Sequence, residues 1–462
     1  MLEAAFMSQR SVTAQAIPPA PQAEGSSEPL LPRTAGEYIR CIGPGLVLAM
    51  AFLGTGDLVS STVSGANYGY ALMWTLVVAL FARYCMISAI AKYKLENRFG
   101  DTSVLQGFQR VWRGFPMFFG VAIFFYAIII QMSFLRACAV ALYHLGGGIG
   151  TTTWGYFIGG AIVVVLTIVM LSRSNAYQWL EWTARIASVV IIVTFIGAIA
   201  ATGHIDLVEM VKGLTFSIPA NNGPFDAIFI AVATIGTIGG SALNLLYPYF
   251  MDERGWNGPR YRRLQQFDLL AGMLPLLIIN VLFWIVAAET IRGTGMTVSN
   301  ENDLATMMEM AVGPLGPPLL WISLFLAAFS SFPANARGFA NLMFNGLHLA
   351  TKRGKSFAKP VDDPWYNRVL IAAFIVVPLF ICMPQAPNLV YLSVFGTSVI
   401  TAILLPPILY GVLRMTSSRR FMLDEHVNRW WQTLILMVLS LIGLWSLYAI
   451  VDNLIKAIGQ LS

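Results

Sequence analysis

One acid stands where apolar sequence ought to continue. The run that opens with Gly43-Pro44-Gly45 and ends at Leu53 leads into Gly54-Thr55-Gly56-Asp57, then turns polar through Ser60, Ser61, Thr62, Ser64 and Asn67. Far downstream, between Ala233 and Asn244, a second glycine cluster carries Gly236, Gly239 and Gly240. Each glycine costs about 1 kcal/mol against alanine inside a helix, so both stretches are prone to unwind. If these runs cross a membrane, unwound backbone is tolerated only where protein buries it or it lines a wet cavity. The freed carbonyls, a few hydroxyls and one carboxylate are what a cation coordinates. A carboxylate in mid-span costs roughly 2.5–3.5 kcal/mol even on the lenient insertion scale, which makes Asp57 a functional candidate.

Two plainer readings compete. Glycines in membrane helices often serve close packing, and Asp57 could pair with Arg83 or Arg136, the basic residues well inside apolar runs. Two clusters at matched positions, one holding an acid, favour a site over packing. Arg83 is expected near the cytoplasmic end of a tilted helix, where its head can snorkel to water, so the ion pair is the lesser expectation. Glu181 and Glu289 sit near the ends of their runs, which leaves Asp57 as the one deep acid.

The elements that must position these residues follow from composition. Of 462 residues, 57% are apolar and 11% charged, against about 25% charged in a soluble domain. A transmembrane helix needs about 20 mostly apolar residues, and eleven runs qualify: 43–65, 69–93, 115–143, 154–172, 180–202, 225–250, 266–290, 317–349, 366–384, 387–413 and 430–452. In the eighth, Asn335 to Leu349 is amphipathic and admits either a continued span or a helix lying on the surface. The chain therefore divides into a disordered tail at 1–38, a ten-span core at 39–413, and an eleventh span at 430–452. The tail has no apolar h-region, so no cleavable signal is visible. Loops after even-numbered spans carry nearly all the Lys and Arg, whereas those after odd spans carry only Lys212 and Arg292. The positive-inside rule then puts the N-terminus in the cytoplasm and the C-terminus outside. The expected location is the plasma membrane, or the inner membrane of a Gram-negative cell.

Several classes are excluded. The net charge of +6 lies in the loops of a membrane protein, so it is no nucleic-acid signal. Cys41, Cys85, Cys138 and Cys382 form no CxxC pair, and the histidines form no cluster deep in the spans; the cysteines read as small core residues. No nucleophile–base or cofactor constellation suggests an enzyme. Spans one and six are corresponding members of two five-span halves, about 39–202 and 225–413, which is the pattern of an inverted-repeat transporter with its site at the broken helices.

The stretches Gly43-Pro44-Gly45 and Ser64-Gly65-Ala66-Asn67-Tyr68-Gly69-Tyr70-Ala71-Leu72-Met73-Trp74 resemble the NRAMP family of divalent-metal transporters. The likeness runs along spans one to ten with matching loop lengths. It implies an all-α, polytopic, LeuT-like fold of two inverted five-helix repeats plus an eleventh span. The departures are informative. The family has Asp-Pro-Gly-Asn in span one, where this chain has Gly54-Thr55-Gly56-Asp57. Its Met-Pro-His in span six is matched by Gly240-Ser241-Ala242, and its carbonyl-donating alanine by Thr237. The implied metal site is thus Asp57, Gly54, Thr237 and Gly240.

Losing a thioether leaves an all-oxygen, roomier pocket, which suits hard ions. Mg²⁺ keeps several waters and takes one or two carboxylates, so Mg²⁺ is the expected substrate, with Mn²⁺ second, as in the divergent magnesium-transporting branch of the family. The positions matching the family's proton relay are Gln131, Phe134, Ala242 and Tyr247, none of which titrates near neutrality. Transport is therefore expected to be uncoupled from protons and driven by the membrane potential, worth about 2.3 kcal/mol per charge per 100 mV. Asn244 is a further amide candidate. Ser330 and Ser398 stand where the family has glutamines, but serines in such helices usually bond back to their own backbone. Two alternatives stay open: a LeuT-like carrier of a small organic amine or amino acid, and a proton-coupled Mn²⁺/Fe²⁺ transporter.

Overall fold

The structure is a computed structural model that describes residues 31–459 apart from 33, 54, 149–151, 173–175, 204, 224, 240–241, 292–293, 352–355 and 358. Most of the expected tail, 1–38, lies outside the described residues. Its last residues are described. Thr34 and Glu37 form a reciprocal capping box that starts a short helix, Ala35–Cys41, and Tyr38 packs edge-on against Phe267 at 5.2 Å.

Nine helical runs among the described residues are long and apolar enough to cross a membrane. Spans one and six are not among them, because each is broken into short pieces. Span one comprises the half-helices Pro44–Phe52 and Thr55–Tyr68, and Leu53 closes the first by donating its N–H to Ala49 O at 3.1 Å. Span six runs as Ala227–Thr234, a π-helical turn at Ile235–Gly239, a 3-10 turn at Ala242–Leu246, and Tyr247–Glu253. Both breaks fall on the glycine clusters. Without a Cβ to favour helical dihedrals, and with β-branched neighbours such as Ile235, Thr237 and Ile238, these stretches lack the propensity to hold an α-helix against competing contacts.

The unbroken spans form the frame. Span two is Met73–Glu96, span three Phe115–Leu145, span five Ala176–Thr202, span seven Arg262–Ile291 and span eight Gly316–Ala350. Span eight is one continuous helix. Its amphipathic part is not surface-lying: Asn335, Phe339, Leu342, Met343 and Phe344 are buried, and a Cβ on Gly346 would meet Pro116 O of span three at 2.8 Å. Of its polar residues, Asn335 is buried and Asn345 donates to Ser103 Oγ and Tyr249 Oη, both at 2.9 Å. Spans nine and ten each contain a π-helical turn, Ala372–Val376 and Leu392–Gly396. Span eleven, Trp430–Gly459, packs on span ten, Thr397–Thr416 in its helical part.

Small residues set the closest approach. A Cβ on Gly272 of span seven would lie 2.3 Å from the backbone carbon of Gly45, and one on Gly65 would lie 2.6 Å from Trp284 O. Span seven therefore lies backbone to backbone along both halves of span one. Large apolar side chains that the fold leaves uncovered, among them Val165, Val193, Leu270, Leu441 and Tyr448, sit on the spans, where lipid would cover them.

Candidate functional site

Asp57 lies in the first turn of the second half-helix of span one and is buried. Its partner is Arg83, near the middle of span two and completely buried. Arg83 donates from one guanidinium nitrogen to Oδ2 at 2.7 Å and from the other to Oδ1 at 3.2 Å. The snorkelling expected for Arg83 is thus corrected. A side chain in the middle of a 24-residue helix is too far from either interface for its head to reach water, and Asp57 supplies the counter-charge that makes its burial tolerable. The fork of the guanidinium matches both carboxylate oxygens, as a lysine could not.

The unwound part of span six comes to the same place. A Cβ on Gly239 would lie 3.0 Å from Ala79 O and 3.4 Å from Ala82 Cβ on span two, one turn from and next to Arg83. Asn244, fully buried in the following 3-10 turn, donates to Met86 Sδ at 3.2 Å and to Gly239 O at 3.5 Å. Its Oδ1 has no hydrogen-bond partner among the described residues, and neither has Ser60 Oγ, one turn on from Asp57. Span one also meets the first half of span six directly through Ser64 and Thr234, whose hydroxyls are 3.3 Å apart.

Of the four residues the sequence put forward, Asp57 is therefore at the junction of spans one, two and six. Thr237 falls in the π-helical turn that packs there, while Gly54 and Gly240 lie outside the described residues. No group of three or more His, Cys, Asp or Glu suited to a metal is found among the described residues. Asp57 is thus the carboxylate at this junction, with the Met86 thioether beside Asn244.

The positions compared with the proton relay have structural partners. Gln131 is buried and donates to Phe332 O and Phe374 O, both at 3.0 Å, tying span three to spans eight and nine. Phe134 and Ala242 are buried in the core. Ser330 bonds back to Ala327 O at 2.9 Å and Ser398 to Val394 O, the self-bonded role expected of them. Asn335 reaches across from span eight to donate to Ala51 O at 2.9 Å, in the last turn before the break of span one.

Sequence reasoning missed Asp268, two residues inside the apolar run of span seven and fully buried. Its Oδ1 accepts from Gly43 N at 2.9 Å, and its Oδ2 from Gly45 N at 2.7 Å and Tyr247 Oη at 2.8 Å. It caps the first half-helix of span one from a distance of 223 residues along the chain. The available signal was the Gly-Pro-Gly itself, a helix start with no capping side chain of its own. Glu181 closes the same end by accepting from Arg254 at 2.6 Å and Arg185 at 2.5 Å, and Arg185 donates to Ile42 O at 2.9 Å.

Two broken helices from matched halves, meeting against a helical frame around one buried charge pair, define a polytopic carrier of the LeuT-like class. The sequence model of the Nramp family, described as natural resistance-associated macrophage protein-like, matches residues 45–452. The chain belongs to this family. Among curated relatives, the divalent metal cation transporter MntH of Deinococcus radiodurans is 22% identical over 75% of this chain and 76% of its own length. The MntH of Staphylococcus aureus strain bovine RF122/ET3-1 is 20% identical over 90% of this chain and 92% of its own length. The solved manganese transporter of Eremococcus coleocola superposes with a TM-score of 0.70 at 17% identity, covering 92% of this chain and 90% of that one. The nucleobase-cation-symport-1 transporter Mhp1 shares the fold more loosely, with a TM-score of 0.53 at 14% identity over 89% of this chain and 93% of that one.

Proposed function

We propose that this chain imports a divalent metal ion by alternating access, with Mg²⁺ the leading substrate and Mn²⁺ second, and without proton coupling. The observation that carries the proposal is the convergence of Asp57 with the unwound backbone of span six on one face of span two. Relatives named as divalent metal cation and manganese transporters support the ion class. The finer choice rests on donor chemistry. Asp57, freed carbonyls and the buried oxygen of Ser60 are hard donors, with no thioether or imidazole at the matched span-six positions, and such a set suits ions that keep part of their water. Gln131, Phe134, Ala242 and Tyr247 offer no group that carries a proton near neutrality, so the membrane potential is left to drive uptake. By the distribution of Lys and Arg, the N-terminus lies in the cytoplasm and the C-terminus outside.

Uptake of Mg²⁺ and Mn²⁺ into proteoliposomes under an imposed potential, with and without a pH gradient, tests this reading. Both ions are expected to enter irrespective of the pH gradient, and Asp57→Ala is expected to abolish entry. Proton influx that accompanies the metal would refute the uncoupled mechanism, and normal transport by Asp57→Ala would refute the site.

One observation favours a second reading. Asp57 already holds a guanidinium through both oxygens, which is how it would hold a small organic amine. Competition of methylguanidinium and simple amines with Mg²⁺ in the same vesicles separates the two: transport of labelled amine with no metal uptake would replace the metal reading.

A further inference from the structure

An ion that is to bind Asp57 finds both carboxylate oxygens taken. Arg83 engages Oδ2 at 2.7 Å and Oδ1 at 3.2 Å, and both residues are buried. We propose that Arg83 is a tethered competitor of the transported cation, which fills the site in the empty carrier and moves to Asn244 when a substrate ion takes Asp57. The proposal rests on the metal reading given above and adds to it the means by which the site selects charge.

Three observations support the exchange. First, the empty site is electrically neutral, since the pair carries one charge of each sign at bonding distance. A carrier with a bare carboxylate at that depth would have to desolvate it in every return step. Second, the competitor discriminates by valence. When a monovalent ion displaces the guanidinium, one positive charge at the carboxylate replaces another, so the exchange gains little Coulomb energy and still costs the ion its water. A divalent ion doubles the attraction, and one such as Mg²⁺ that keeps several of its waters gains it without shedding its whole shell. Third, the displaced guanidinium has somewhere to go. Asn244 donates to Met86 Sδ at 3.2 Å, and Met86 is three residues on from Arg83, on the same face of span two. One helical turn is about 5.4 Å, within reach of an arginine arm. There Asn244 Oδ1 is a buried acceptor with no partner among the described residues. Its orientation is fixed because the amide nitrogen faces Gly239 O at 3.5 Å.

The test measures Mg²⁺ and Mn²⁺ uptake, and its inhibition by Na⁺ and K⁺, in vesicles containing the full chain or variants that match wild type in a thermal unfolding check. Arg83→Gln is expected to lower KM for the metal tenfold or more and to make uptake sensitive to monovalent ions. Arg83→Lys, which retains the charge without the fork, is expected to fall between. Asn244→Leu is expected to raise KM several-fold when Arg83 is present and to leave it unchanged in the Arg83→Gln background. That dependence would not arise if Asn244 merely packed. Added methylguanidinium is expected to restore wild-type KM to Arg83→Gln.

An unchanged KM and unchanged ion preference in Arg83→Gln would overturn the proposal, as would loss of uptake in a folded Arg83→Gln protein. Additive effects of the two substitutions would overturn the landing site. If Arg83→Gln does not fold, the Lys variant carries the test, and a KM equal to or above that of wild type would overturn it. Wild-type protein that moves no divalent ion at all would instead refute the underlying function.

Discussion

Replacing Asp268 by alanine should loosen the first half-helix of span one, and the structure gives the size of the effect. The first turn of any helix leaves backbone N–H groups without partners. Here Pro44 has none to donate, and those of Gly43 and Gly45 both go to the Asp268 carboxylate, at 2.9 and 2.7 Å. Tyr247 donates to the same group at 2.8 Å but lies 3.2 Å from Gln265 O, so its hydroxyl keeps an alternative. The alanine variant therefore strands two buried N–H groups, each costing roughly 1–3 kcal/mol. Part is offset because a buried carboxylate no longer has to be desolvated. A net loss of about 3 kcal/mol follows, and since each 1.4 kcal/mol is tenfold, local opening should rise roughly a hundredfold. Hydrogen exchange in detergent, read at Gly43 and at Gly45 to Leu48, measures this directly. Asp268→Asn retains one acceptor oxygen and should show about half the free-energy effect. Exchange in Asp268→Ala within threefold of wild type, with the protein otherwise intact, would show that this carboxylate does not hold span one.

Three further outcomes follow from named contacts. Gly272→Ala should sharply reduce the yield of folded protein, because its Cβ would sit 2.3 Å from the Gly45 backbone; Gly236→Ala meets nothing within 4 Å and should fold normally in the same expression assay, yet slow uptake by stiffening the unwound turn. Arg136 and Glu301 are a buried pair at 3.2 Å, and Glu301 also accepts from Leu389 N at 3.0 Å. Arg136→Met should cost about 3–5 kcal/mol by stranding the acid, with much of the loss recovered in the double variant Arg136→Met, Glu301→Gln, as read by thermal unfolding. Burial pushes the Cys41 thiol above its usual range, with Arg254 partly opposing. Maleimide labelling of Cys41 should therefore be slow at pH 7 and quicken as the pH rises past 9, whereas buried Cys138 and Cys382 should stay unlabelled in the folded protein. Restricted access of an impermeant reagent to Cys41, from the cytoplasmic side only, checks the orientation.

Much of this protein was legible in its sequence because the bilayer leaves so few choices. Backbone polar groups must be satisfied within each segment, so runs of apolar residues translate into helices, and glycine clusters at 54–56 and 236–240 translate into the breaks at spans one and six. Local composition determined those features, together with the inverted halves and the self-bonded roles of Ser330 and Ser398. What it could not determine was who meets whom. Arg83 and Arg136 looked alike as single basic residues in apolar runs, yet one pairs with Asp57 and the other with Glu301. Asp268 drew no reading from its place at the start of an apolar run, yet it caps the helix that follows Gly43, 225 residues earlier. The amphipathic end of span eight looked fit for a surface until span three covered it. Such pairings depend on the relative rotation and depth of helices distant in sequence, which no local pattern encodes. For Asp57 this decides the chemistry: the sequence supplied a lone carboxylate for a cation, and the packed spans supplied the arginine that already occupies it.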